Sequence, residues 1–287
     1  MTASASVSPT SRRVAPVRPP RRRLWRLVTG AAPHALLLTF SVATLAPFAW
    51  TLAQSFMPRL SDVAWTTHNY TATLSYQPFA AAFLNSLLVA GSVTIAAMLT
   101  STLVGFVFAK YRFRAREPLF IALIACLMIP SSVIALPLYV NLVGLGLGRS
   151  LGALIVVGLW SPFGIFTLRQ FMEGIPAELL DAARIDGASE WRIVARVLAP
   201  MCTPALAVLA VYAFMQSWDN FLLPTILFGW TLQPQNWTLP LLAASGVGVA
   251  TPLVSAVVVL MTLPALIIFV VAMRYFIRDI AVISMQN

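Results

Sequence analysis

Six apolar stretches dominate the chain, at roughly 33–53, 83–109, 119–140, 151–171, 204–223 and 253–275. Each is long enough to cross a bilayer core, which takes about 20 apolar residues as a helix. The pattern predicts an all-α membrane protein with six transmembrane helices. One stretch breaks it: "AELLDAARIDGASEWRIVARVLAP", residues 177–200, lies between the fourth and fifth spans. It carries four of the nine acidic residues, Glu178, Asp181, Asp186 and Glu190. Pro176 can open a helix, because a missing N–H costs nothing in the first turn. "AELLDAARI" then reads as one short helix, with Glu178 and Asp181 near the positive end of its dipole. Ala182 and Ala183 leave a smooth strip for close packing. Asp186-Gly187 is a turn signal, with positive φ expected at Gly187. Ser189 is a candidate N-cap for a second helix through Leu198. Pro200 and Pro204 are expected to stop that helix and begin the next span. Prolines also punctuate the spans: Pro130 and Pro137 in the third, seven apart and so on one helical face, Pro162 in the fourth and Pro264 in the sixth. Kinked helices around a pathway fit a transporter, and ordinary packing kinks fit equally well.

Composition agrees with lipid as the solvent. Only 10% of the residues are charged, against 59% hydrophobic; soluble domains average roughly 25% charged. Cys126 and Cys202 are too few for a disulfide framework, and His34 and His68 have no metal-ligand neighbours at usable spacing. No metal site is expected. The formal charge of +10 is concentrated, with seven arginines in the first 26 residues. That leader, 1–30, reads as a disordered basic segment facing an anionic membrane surface rather than nucleic acid. The apolar run behind it exceeds a signal peptide's usual ~7–15 residues and reads as an uncleaved anchor. The leader, 110–116, 169–196 and the C-terminal arginines hold 17 of the 19 basic residues. An even number of spans then puts both termini and both basic loops in the cytoplasm of a multi-pass plasma or inner-membrane protein. The outer segments 54–82 and 224–252 are rich in Trp, Tyr, Thr, Pro and Gln. Trp65, Tyr70, Tyr76, Trp230 and Trp237 suit the membrane–water interface or a partner's surface.

No phosphate-cradling loop is present. "LVGLGLGRS", 142–150, ends in Gly-Arg-Ser rather than Gly-Lys-Ser/Thr and reads as an outer turn. Neither H-E-x-x-H nor G-x-S-x-G occurs, so no catalytic residue is expected. Asp219 lies roughly 24 Å along the fifth span at 1.5 Å per residue, near the outer boundary. A proton-driven carrier would show acidic or histidine side chains deep in several spans. The chain therefore has a transporter's outline without an energy source of its own. Gln216, Asp219 and Asn220 could face a pathway, with helix packing as an equal rival. The competing functions are a stand-alone secondary carrier or channel and a non-transporting membrane scaffold.

The loop resembles the EAA signature of ABC importer permeases: Asp181 stands at the family's first Glu, followed by Ala182, Ala183, Asp186, Gly187 and Ala188. The blocks "FLNSLLVAGSV", "FAKYRFRARE", "MIPSSVIALPLYV", "GIFTLRQFMEGIP" and "RYFIRD" are similar, in order, to the carbohydrate-uptake subfamily, and most to its maltose-type G subunit. The resemblance implies a permease domain over 31–280, with the coupling loop at about 173–200 and a short tail at 281–287. It implies a pore shared with a homologous second permease subunit, two ATP-binding cassette subunits docked on the loop, and an extracytoplasmic solute-binding protein. The docking residues would be Glu178, Asp181, Ala182, Ala183, Asp186, Gly187, Ala188 and Trp191. No cofactor would bind this chain; ATP–Mg would sit in the partner ATPase. Two features depart from the pattern: Asp181 is one methylene shorter than Glu, and "DIAVISMQN" is not glycine-rich.

Overall fold

The computed structural model describes residues 21–58, 65–229, 234–246 and 251–284. All regular elements among them are helical: α1 (Arg21–Ser55), α2 (His68–Ser75), α3 (Gln77–Lys110), α4 (Arg116–Ala125), α5 (Ser131–Gly144), α6 (Leu151–Val157) and α7 (Pro162–Glu173). Then come α8 (Ala177–Ile185), α9 (Glu190–Ile193), a π-helical turn Val194–Leu198, α10 (Ala199–Met201), α11 (Thr203–Trp218), α12 (Leu222–Phe228), α13 (Leu239–Ala244) and α14 (Thr251–Ser284). Short 3₁₀ turns lie at Cys126–Met128 and Pro234–Asn236. Most of the leader and the last three residues lie outside the described residues, as do Arg59 and Trp230.

The chain forms two compact units, Met1–Trp50 and Thr51–Asn287. In the first, α1 exposes its apolar side chains, Leu36, Phe40, Leu45 and Phe48 among them. Among the described residues, four helices are long and apolar enough to cross a membrane: Pro33–Ser55, Gln77–Lys110, Leu151–Glu173 and Pro252–Met273. The count reaches six if two sharply bent pairs each make one span.

Those bent pairs correct the expectation of simple kinks. Arg116–Met128 and Ser131–Gly144 meet at 103°. Ile129 is extended, as residues before proline prefer, and so is Pro130. Pro130 therefore separates two helices, and it does not share a helical face with Pro137, which lies inside α5. Glu190–Met201 and Thr203–Trp218 meet at 85°. Pro200 does not stop the loop's second helix, which continues through the π turn to Met201. The π turn fits a physical need: Pro200 has no N–H to complete the regular ladder, and a wider turn redistributes the remaining bonds. Pro162 does not kink the fourth span but opens α7, with Ser161 as N-cap accepting the Gly164 N–H at 3.1 Å. The turn read in "LVGLGLGRS" is present, with positive φ at Gly146 and Arg149. Among the outer aromatics, Trp65 and Tyr76 are exposed, whereas Trp237 is buried and the Tyr70 hydroxyl bonds Ser55 at 2.6 Å. Both latter rings serve packing rather than an interface.

The second unit is organised around α3. Between α6 and α7 the helix is interrupted at Gly158–Ser161, and α3 borders the break with two hydroxyls. Thr100 Oγ donates to the Leu159 carbonyl at 2.8 Å, and Ser101 Oγ lies 3.5 Å from the Ser161 carbonyl. Glycines allow this approach. A Cβ at Gly158 would stand 2.5 Å from a Val93 methyl; one at Gly164 would stand 2.4 Å from Ser101 Oγ and 2.7 Å from a Leu209 methyl. The crossing of α3, α7 and α11 is thus set by absent side chains. Overpacking such a contact typically costs about 1–3 kcal/mol. Gly164→Val is therefore expected to lower the thermal unfolding midpoint of the detergent-purified chain. Gly91→Ala, inside α3 where a Cβ meets nothing within 4 Å, should not lower it and is expected to raise it slightly. Equal midpoints for both variants would contradict this packing account.

Candidate functional site

Two regions combine exposed chemistry with a rigid frame: the charged loop and a cavity beside the α11–α12 break.

The loop starts from α8, whose only buried residue is Leu180. Leu180, Ile193, Val194 and Leu198 are buried in one apolar cluster with Ala97 and Phe106 of α3, Leu168 and Met172 of α7, and Ala205 and Leu209 of α11. The sequence produces this because apolar residues recur on one face of each short helix. The loop is thus part of the core of the helix bundle. Gly187 sits in the turn with φ +80°, as its place after Asp186 predicts, and a Cβ there would meet nothing. Ala188 N–H closes the turn on the Ala183 carbonyl at 3.0 Å. Ser189 occupies the N-cap position, but its side chain makes no capping bond; its carbonyl accepts the Ile193 N–H at 2.9 Å.

Charge pins the two loop helices together. Arg184 reaches Asp181 at 2.8 Å and Glu190 at 2.8 and 3.2 Å. The hydrogen bond from Arg184, helped by one from Tyr111, holds the Glu190 carboxyl below the usual carboxylate range. The bonds to Glu190 and Asp181 push the Arg184 guanidinium pKa up in turn. A depressed carboxylate contributes stability above its unfolded pKa and loses it as pH falls through the folded value. The clamp is therefore intact throughout the neutral range.

Of the residues singled out in the sequence, Glu178, Asp181, Ala182, Asp186, Gly187 and Trp191 are exposed. Trp191 is 66% and Ile185 86% accessible, so the outward face carries bare apolar side chains beside its charges. Ala183 and Ala188 differ: both are half-buried and pack against the core cluster. The smooth strip expected from Ala182 and Ala183 is thus divided, with only Ala182 facing out.

A second ionic group, absent from the sequence expectations, fixes the root of the loop. Arg169 is 8% exposed and bonds Glu173 at 2.9 Å and Glu117 at 3.1 Å. Its guanidinium lies 3.6 Å over the Phe120 ring. Arg116 also reaches Glu173, at 2.9 Å, and Lys110 Nζ donates to the Ile175 carbonyl. The i,i+4 spacing of Arg169 and Glu173 was the only local signal.

The cavity has a volume of about 770 Å³. It opens where helices are interrupted, between Ser131 at the start of α5, Val157 and Phe163 around the α6–α7 break, and Asp219–Leu223. Gln216, Asp219 and Asn220, the three expected pathway residues, all line it, with the mutually tilted rings of Tyr212 and Phe163 beside them, 4.2 Å between centres. Asp219 caps the C-terminus of α11. Asn220 Oδ1 accepts the Leu223 N–H at 3.3 Å, so part of its role is to start α12.

Comparison with known proteins bears on both regions. The family model described as binding-protein-dependent transport system inner membrane component matches residues 101–282, which include the loop and all the described residues that line the cavity. The chain is 32% identical over 206 residues to the arabinooligosaccharides transport system permease protein AraQ of Halalkalibacterium halodurans, covering 70% of this chain and 72% of that protein. It is also 32% identical over 207 residues to the diacetylchitobiose uptake system permease protein NgcG of Streptomyces coelicolor, covering 69% and 68%. In fold it is similar to a chain of a bacterial ABC transporter involved in the import of the acidic polysaccharide alginate. There the TM-score is 0.76 at 19% identity, over 91% of this chain and all of that one.

The root cluster generates a stability prediction. Removing Arg169 strips Glu117 of its buried partner and Phe120 of its cation. Glu173 keeps Arg116, so Arg169→Leu is expected to cost about 1–3 kcal/mol rather than a fully orphaned charge's penalty. Arg169→Lys keeps the charge but not the planar fork, and should fall between. Thermal unfolding of the three proteins in detergent measures the order; coincident curves would show that the cluster is not structural.

Proposed function

The chain belongs to the family of binding-protein-dependent transport system inner membrane components, and we propose that it is a permease subunit of an ATP-driven importer of sugars. Its curated relatives are named for uptake of arabinooligosaccharides and diacetylchitobiose, which supports a saccharide or related polyol as the solute. The observation that carries the proposal is the seating of the loop. Leu180, Ile193, Val194 and Leu198 root it in the same cluster as α3, α7 and α11, while Ala182, Ile185 and Trp191 face outward. Such a part can receive a partner on one side and move the bundle on the other.

In this reading the polypeptide crosses the membrane six times, Arg116–Met128 with Ser131–Gly144 making the third span and the fifth beginning at Thr203 beyond the loop, with both termini and the loop in the cytoplasm. The 17-to-2 division of basic residues supports that orientation. An ATPase pair docks on Glu178, Asp181, Ala182, Asp186, Gly187 and Trp191, and ATP–Mg is bound there, not by this chain. Ala183 and Ala188 set the loop's angle from inside. A homologous second permease completes the pore around the cavity lined by Gln216, Asp219 and Asn220. A solute-binding protein delivers sugar from outside; a solved relative of the fold is described in complex with a periplasmic protein carrying an alginate pentasaccharide.

Topology is tested by single cysteines at Ser75, Gln235 and Ser189, all exposed. The first two are expected to react with an impermeant thiol reagent on intact cells, and Ser189→Cys only after lysis. Reaction of Ser189→Cys from outside would reverse the orientation.

Coupling is tested by two loop substitutions. At Gly187 space is free, so Gly187→Val is penalised only by its left-handed backbone, of order 1–2 kcal/mol or more. Ala182→Arg puts a bulky charge on the outward face without touching the core. Both are expected to leave membrane expression near normal, while abolishing uptake and binding-protein-stimulated ATP hydrolysis by the assembled importer. Asp181→Glu should be tolerated. Parental activity in both damaging variants would reduce the loop to a connector.

A further inference from the structure

The cavity's electrostatics are one-sided. Among the described residues that line it there is no Lys, Arg or His, and Asp219 is the one carboxylate. That side chain is exposed to the cavity and makes no hydrogen bond or ion pair among the described residues. It sits at the C-cap of α11, where the helix dipole already presents its negative end. Apart from Ser131, Tyr212, Gln216 and Asn220 the rest of the wall is apolar, with Val208, Val211, Phe163 and Phe221. A carboxylate facing such a wall is poorly screened, so its field acts on whatever enters. A solute bearing a carboxylate would lose water there, meet repulsion from Asp219 and find no cation among the described lining residues. A neutral saccharide can donate hydroxyls to Asp219 and lay its C–H faces on the aromatic rings. A protonated amino group would add an ion pair.

We propose that this half of the pathway selects by charge: Asp219 admits neutral and amine-bearing saccharides and turns away acidic ones. The proposal rests on the cavity being part of the translocation pathway. It adds a property that the pathway assignment alone does not give, since Gln216 and Asn220 are neutral.

The test needs no knowledge of the natural sugar. In the full-length chain, within membranes of cells producing the importer, exposed Cys126 is replaced by Ser and Gln216 by Cys; buried Cys202 stays. Small methanethiosulfonate reagents, one cationic and one anionic, are applied to vesicles opened on both sides. Their labelling rates are each divided by the rate with free mercaptoethanol. The cation-to-anion ratio is expected to exceed that of the free thiol by about tenfold, as one nearby poorly screened charge gives. Added salt should reduce it. Asp219→Asn should bring it back to the free-thiol ratio, and Asp219→Glu should keep it high. A ratio that is the same in the parent and in Asp219→Asn overturns charge selection while leaving the pathway intact. Failure of both reagents to label Gln216→Cys overturns the pathway assignment itself.

Discussion

Backbone polar groups placed in an apolar solvent must find partners inside the protein, and this fold departs from regular helix only where it can meet that demand. The interruption at Gly158–Ser161 is the clearest case. The Leu159 carbonyl is met by Thr100, and the Ser161 carbonyl by the Ile165 N–H of the next helix with Ser101 Oγ beside it. The break at Asp219–Phe221 is met by the Asn220 side chain and by the opening turn of α12. The α6–α7 and α11–α12 breaks both border the same cavity, as does the start of α5 after Pro130. Irregular backbone and solute space are two results of one cause: a helix that ends inside the bundle leaves room beyond its end.

Below that level, the bundle and the charged loop share a core. Apolar burial seats α8 and the helix after Gly187 on α3, α7 and α11. Two sets of charges then remove the remaining freedom. Arg184 ties the loop's halves to one another, and the Arg116–Glu117–Arg169–Glu173 group ties the loop's root to α4 and α7. Exposed pairs of the Arg184 kind add little stability, typically under about 1 kcal/mol. Their role here is geometric, fixing the angle of a turn that already has its glycine.

The long-period features were legible in the chain. Apolar runs marked the helices, Asp186-Gly187 marked a turn with positive φ, and the scarcity of polar groups in the fifth span singled out Gln216, Asp219 and Asn220. Features set by neighbours were not. Proline indicates that a helix is disturbed, but only the packing decides between a mild bend and the 103° corner at Pro130. Ala182 and Ala183 are chemically identical, and which of them packs inward follows from where the buried cluster lies. The ionic root joins residues as far apart as Arg116 and Glu173, 57 positions along the chain, so no local window contains it.

The glycine-lined crossing also limits how such a chain can diverge. The space over Gly164 is filled from two other helices, by Ser101 and Leu209, and that over Gly158 by Val93. A larger residue at either glycine is admissible only in a lineage where its opposite has already shrunk. Drift at these positions must therefore proceed in matched pairs, with the order of the two steps fixed: first the vacancy, then the residue that occupies it.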